Sequence, residues 1–108
     1  MLPPYSDDAP ERATLDTTAG PLVVEFGSNE CGICRAALPL IATAMTTTQL
    51  PHLRIQDGRG RRLGRSYGVK LWPTLVLLQD GQEVARVVRP QTTTEINDAL
   101  QKLGVPLG

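Results

Sequence analysis

Cys31 and Cys34 are the only cysteines in the chain, and two residues separate them. A bridge across so short a loop constrains the unfolded chain little. A secreted scaffold stapled by disulfides carries more cysteines, spaced more widely. The pair therefore points to chemistry. Cys31-Gly32-Ile33-Cys34 follows the apolar, β-branched run Leu22-Val23-Val24-Glu25-Phe26 and opens a segment of helical periodicity. A thiol at a helix N-terminus meets unpaired N–H groups and the positive end of the dipole, which favour the thiolate. A second thiol three residues on lies one turn away on the same face. This spacing fits thiol–disulfide exchange, with Cys31 attacking, Cys34 resolving, and the Cys31–Cys34 bridge as the oxidised form. Gly32 leaves room for close approach. A structural metal needs four ligands, and only the lone His52 could join the pair, so no metal is expected.

The elements that must position the pair can be read from periodicity and punctuation. Asp8-Ala9-Pro10-Glu11 predicts the start of a short helix that runs to about Thr17 before Gly20-Pro21 stops it. Leu22–Phe26 reads as a central strand buried on both faces, with one odd charge, Glu25, inside it. Gly27-Ser28-Asn29-Glu30 is a turn. The helix that Cys31 opens carries Ala36, Ala37, Leu38, Ile41, Ala42 and Met45 at helical spacing, with Pro39 expected to kink it. His52–Gln56 alternates as a strand does, and one short helix fits Arg61–Tyr67. After Trp72-Pro73 comes the apolar strand Thr74–Leu78. Asp80-Gly81 is a hairpin signal with Glu83–Val88 as the return strand. Thr92 and Glu95 form a capping box ahead of Ile96, Ala99, Leu100 and Leu103, so an amphipathic helix closes the order. Alternating elements followed by a terminal hairpin imply an α/β fold with a mixed sheet between helices.

The 108 residues suit one domain, 1–108, with residues 1–9, rich in Pro and Asp, expected to be loose. The formal net charge is +0, which gives no reason to expect nucleic acid or an anionic membrane as partner. The charge is unevenly spread. Residues 1–30 hold six acidic residues against Arg12, and residues 31–75 hold seven basic residues against Asp57. A solvated surface explains this more simply than steering of a partner. No run is long and apolar enough for a membrane span. The first residues lack a basic then apolar leader, so the expected location is cytoplasmic.

At this point the chain resembles the thioredoxin family, over about Leu22 to Leu103. Glu25 matches the buried carboxylate under the active site, six residues before Cys31. Pro39 matches the helix proline five residues after Cys34, and Pro73 the proline that is cis in the family and lies beside the disulfide. Tyr67-Gly68-Val69 and Asp80-Gly81 match the stretch leading to that proline and the terminal turn. The resemblance implies a thioredoxin-like fold: a central mixed sheet of four or five strands, flanked by about four helices, in three layers, α/β/α. It implies that Cys31 forms a mixed disulfide with a protein disulfide substrate and that Cys34 resolves it. Glu25 would be the base for Cys34. Desolvation in an apolar strand should raise its pKa toward the range useful for proton transfer. The alternative for Glu25 is a plain salt bridge, for which Arg54 aligns with the family's partner lysine. Both readings stand at this stage.

The substrate-facing residues would be Gly32, Ile33, Trp72, Pro73 and Thr74, with the backbone of Trp72 presented to an extended client. Four features depart from the family pattern. Glu30 replaces a tryptophan, Ile33 a proline, Trp72 an aliphatic residue, and Arg89-Pro90 stands where the family has a glycine. Glu30 should disfavour a thiolate by like charge. Trp72 either gates Cys31 or fills the space of the missing tryptophan. The function expected is protein-disulfide oxidoreduction, in the reductase direction. It would need no cofactor beyond the cysteine pair, would take electrons from a reductase or a small thiol, and would suit a monomer. The rival is a thioredoxin-fold adaptor or chaperone holding a client beside Pro73.

Overall fold

In the computed structural model, which describes residues 2–103, the expected elements form in the expected order. They are α1 (Arg12–Asp16), β1 (Pro21–Gly27), α2 (Gly32–Thr46), β2 (His52–Gln56), α3 (Arg62–Ser66), β3 (Thr74–Gln79), β4 (Gln82–Val88) and α4 (Thr93–Leu100). The sheet has four strands in the order β2-β1-β3-β4. β1 runs parallel to β2 and antiparallel to β3, and β3 runs antiparallel to β4. The two continuous apolar runs thus become the two central strands, because only strands covered on both faces can use such runs.

Two apolar clusters cover the two faces. On one, Val23, Leu75 and Leu77 pack with Ala37, Ile41 and Met45 of α2 and with Ile96 and Leu100 of α4. On the other, Leu22, Val24, Phe26, Val76 and Leu78 pack with Leu15 of α1, Leu63 of α3 and Tyr67. This is the three-layer α/β/α arrangement. Side chains alternate along a strand, so Glu25 shares the side of Val23 and faces the layer of α2, where the cysteines lie.

The ends of the elements follow local rules. Thr92 accepts from the Glu95 N–H while Glu95 accepts from the Thr92 N–H, a complete capping box. The β3–β4 hairpin turns on Asp80 and Gly81, both at positive φ (53° and 82°), the signature of a two-residue type I′ turn. Gly81 is required twice over, since a Cβ there would also strike the Asp16 carbonyl. At α1 the expectation is slightly off. Glu11, not Asp8, occupies the N-cap, without a side-chain bond to the helix, and the Asp8 N–H instead uses Ser6 Oγ.

One expectation is overturned. Residues 1–9 read as loose in the sequence, yet Tyr5 is 6% exposed. Ser6 pairs in parallel with Ile55, donating to the Arg54 carbonyl at 2.8 Å and accepting from the Gln56 N–H at 2.9 Å. The open edge of β2 has unpaired backbone groups to offer, and the prolines before Tyr5 do not prevent the next residue from using them. Ile41 is fully buried between α2 and the sheet; Ile41→Ala should lower the unfolding free energy by about 2–5 kcal/mol, read as a shift in urea midpoint at unchanged slope.

Candidate active site

Cys31 is the N-cap residue of α2. Its Sγ accepts from the Cys34 N–H at 3.2 Å, as a serine or aspartate oxygen does at an ordinary cap. The sulfur thus sits where the first-turn N–H groups and the helix dipole favour negative charge. Its partial burial pushes the pKa up, but hydrogen bonds from Cys34 and from the Ile33 backbone, with the charge of Arg89, outweigh this, and Cys31 lies below the usual thiol value. Cys34 is 2% exposed. Burial and its bond to Cys31 push its thiol up to about 11. Two thiols of one type, three residues apart, are therefore placed in opposite states: one reachable and easily ionised, the other enclosed and protonated.

The turn before Cys31 is pinned from several sides. The Asn29 N–H donates to Gln56 Oε1 at 3.1 Å, and Gln56 Nε2 donates to Ser28 Oγ at 2.9 Å. The Cys31 N–H donates to the Ser28 carbonyl at 3.1 Å. Glu30 is exposed, and its carboxylate accepts from Ser28 Oγ at 2.8 Å, so its charge is both solvated and partly engaged. Gly32 and Ile33 are exposed, Ile33 at 46%.

The Trp72–Pro73 peptide bond is cis. The Trp72 indole N–H donates to Asp57 Oδ2 at 2.9 Å; the ring is thereby tied to the loop after β2. The Trp72 carbonyl, expected to face a client, accepts from Arg89 Nε at 2.9 Å, while the Arg89 N–H donates to the Pro73 carbonyl at 2.9 Å. A carbonyl oxygen has a second lone pair to offer a client. Arg89 itself adopts φ 49°, the left-handed region that glycine enters most easily. The departure from a glycine is held by these two bonds. Thr74, also expected to face a client, is instead 1% exposed and donates its hydroxyl to the Leu71 carbonyl at 2.6 Å. As the first residue of β3, it points inward and closes its own turn.

Glu25 is completely buried. Its directly opposite partner on β2 is Arg54, which donates through Nε to Oε1 at 3.0 Å and through Nη2 to Oε2 at 2.9 Å. His52 Nε2 is 2.9 Å from Oε1, and the Tyr5 hydroxyl donates to Oε2. Burial alone would raise this carboxyl, as expected from the sequence. The bonds from His52, Arg54 and Tyr5 overcome it, and Glu25 is held below the usual carboxylate value. The expectation of a raised pKa is therefore wrong: an isolated carboxylate in an apolar strand rises, but one given a fork of charged donors does not. Two of the donors, His52 and Tyr5, do not stand out as site residues in the sequence. A signal for His52 exists, because it and Arg54 are two apart on one strand and so share a face. Tyr5 is twenty residues from Glu25 in sequence, and no local pattern signals that contact.

A half-buried thiol that ionises readily, backed by an enclosed thiol that does not, defines a centre for thiol–disulfide exchange. Known proteins agree with the geometry. The thioredoxin family model matches residues 7–102. Thioredoxin 2 of Pseudomonas aeruginosa PAO1, solved in its reduced form, is 52% identical, with 94% of each chain covered and a TM-score of 0.84. A mutant thioredoxin from Halobacterium salinarum NRC-1 is 25% identical, covering 95% of this chain and 92% of its own, with a TM-score of 0.73. The thioredoxin of Chlamydia pneumoniae is 36% identical over 73 residues, 65% of this chain and 70% of that protein. The chain belongs to the thioredoxin family and is a thiol–disulfide oxidoreductase.

Two outcomes are expected. Alkylation of the reduced chain, followed by peptide mass mapping, should modify Cys31 with a pH midpoint below that of a free thiol, and Cys34 only as the pH approaches about 11. The second concerns stability. Glu25 is held below its ordinary value in the folded chain, so the unfolded chain takes up its proton more readily. The stabilisation is complete above the ordinary carboxylate range and is lost as pH falls through the folded value. Glu25→Gln should therefore weaken the fold at neutral pH, by leaving Arg54 without its counter-charge, and should flatten the acid limb of a urea-midpoint curve.

Proposed function

We propose that this chain reduces disulfides in client proteins, with Cys31 as the attacking and Cys34 as the resolving residue. The observation that carries the reading is the inequality of the two thiols. Only Cys31 is open to a client and eased toward thiolate by the helix end. Cys34, enclosed and protonated, can act only on the Cys31 sulfur, once a client is joined to it. Cys31 attacks the client disulfide and forms a mixed disulfide, and one client sulfur leaves with the bonding electrons. Cys34 then attacks Cys31, the internal bridge forms, and the second client sulfur leaves.

Gly32 and Ile33 on one side, with Trp72 on the other, provide the surface for an extended client segment, whereas Pro73, expected to face the client, is itself buried. Glu25 is the group nearest in kind to a proton acceptor for Cys34. The reaction needs no cofactor beyond the cysteine pair, and a reductase or a small thiol restores the reduced form. The chain is read as one domain, 1–108, working as a monomer in the cytoplasm. Among the described residues no helix is long and apolar enough to cross a membrane, and no group of three or more potential metal ligands occurs. Reduction of insulin by dithiothreitol tests the reading. Cys31→Ser should fall to the uncatalysed rate, and Cys34→Ser should accumulate a mixed disulfide identifiable by mass. Equal rates for wild type and Cys31→Ser would refute it.

A further inference from the structure

Tyr5 lies outside every helix and strand, yet it is fixed on all sides. Its N–H donates to Asn29 Oδ1 at 2.9 Å, and its carbonyl accepts from Asn29 Nδ2 at 3.0 Å. The Arg54 guanidinium lies 4.1 Å from the centre of its ring. The ring rests on Gly27, where a Cβ would come 2.5 Å from the hydroxyl oxygen; β1 has to end in glycine for the ring to be there. Tyr5, Ser28, Cys34, Leu38 and Arg54 line one cavity of about 300 Å³. The hydroxyl donates to Glu25 of β1, the Arg54 guanidinium of β2 lies over the ring, and Cys34 and Arg35 of α2 line the cavity that Tyr5 also lines.

Resting on the reading above, we propose that the Tyr5 hydroxyl carries the proton from Cys34 to Glu25 during resolution, so that the N-terminal segment completes the active site. The hydroxyl's own proton is already directed at Glu25 Oε2. An oxygen that donates to Glu25 keeps acceptor capacity, and the Cys34 thiol lines the same cavity. Cys34 gives its proton to the Tyr5 oxygen as that oxygen gives its own to Glu25. The Cys34 thiolate, now accepting from the Tyr5 hydroxyl, attacks Cys31 Sγ. The Cys31–Cys34 bond forms, the Cys31–client bond breaks, and the client sulfur leaves with the electron pair and takes a proton from water. Glu25 then releases its proton to water by way of the same hydroxyl. The client disulfide gains two electrons, and the cysteine pair loses them.

Two further facts fit this role better than that of a plug. Glu25 already has a forked bond from Arg54 and one from His52, so its counter-charge is the guanidinium and the hydroxyl is a further, uncharged donor. A phenylalanine would stack on Arg54 as well. The hydroxyl also draws the Cys34 thiol down, against the burial that raises it. Glu25 is held ionised, so it is free to take a proton, but it is a weaker base than an ordinary carboxylate, and the proton rests there only while the thiolate is being consumed.

Tyr5→Phe, which keeps the ring and the Asn29 clamp, tests the proposal against dithiobis(nitrobenzoate). Attack by Cys31 releases one thionitrobenzoate and resolution by Cys34 releases a second, so the two steps are read separately. In a variant with wild-type melting temperature, the first release should be unchanged. The second should slow about tenfold or more at neutral pH, with its pH profile displaced upward. Gly27→Ala, which forces the ring aside without removing it, should slow the second release in the same way. A second release at the wild-type rate and pH profile in both variants would overturn the role of Tyr5 and leave the oxidoreductase reading intact. Absence of both releases in the wild type would instead overturn that reading.

Discussion

Glu25 is a carboxylate with no exposed surface, set in a central strand of the sheet. A buried charge is tolerated only when it is paired and its lone pairs are used, and here the donors come from separate parts of the chain. Arg54 and His52 reach it from β2, and Tyr5 from the N-terminal segment. Satisfying this one group fixes much else. It binds β1 to β2 at Glu25 and Arg54, and it gives the first residues of the chain a polar reason to dock where an apolar one would be weak. Arg54 also holds its guanidinium face against the Tyr5 ring, so cation–π contact and hydrogen bond reinforce each other.

The same constraint reaches the cysteines through geometry. Glu25 faces the α2 layer because strand side chains alternate, and Cys31 caps α2 directly after the turn that β1 enters. A buried polar cluster, a cavity and the enclosed thiol are thereby stacked beneath a helix N-terminus. The end of the helix offers its N–H groups to Cys31 and leaves Cys34 inside. One helix turn is enough to set two identical side chains apart as a half-buried thiol below its usual pKa and an enclosed thiol above it.

Around this centre the surface differs from the family pattern in ways the bonding explains. Arg89, at positive φ, is latched to the carbonyls of Trp72 and Pro73 and places a positive charge by Cys31. Trp72 is latched in turn to Asp57. The segment opposite the cysteines is therefore cross-braced by side chains that stand where the family has small or aliphatic ones. Glu30, which by charge alone would oppose a thiolate, is exposed and turned to Ser28. Its position in water, more than its sign, decides its effect.

The order and kind of the elements, the reactive pair and its place at a helix start are legible in the residues alone. These depend on near neighbours: period-two and period-3.6 burial, the Thr92–Glu95 box, the Asp80-Gly81 turn, and two thiols one turn apart. The sequence leaves open whether Glu25 would be a raised base or a paired anion, and by its composition alone Tyr5 belongs to a loose end and Thr74 to a client-facing surface. The folded chain pairs Glu25 with Arg54, seats Tyr5 and turns Thr74 inward. A side chain's protonation depends on donors brought to it from distant parts of the chain, and a terminal segment is ordered by the strand edge it meets. Neither leaves a periodic mark in the local sequence.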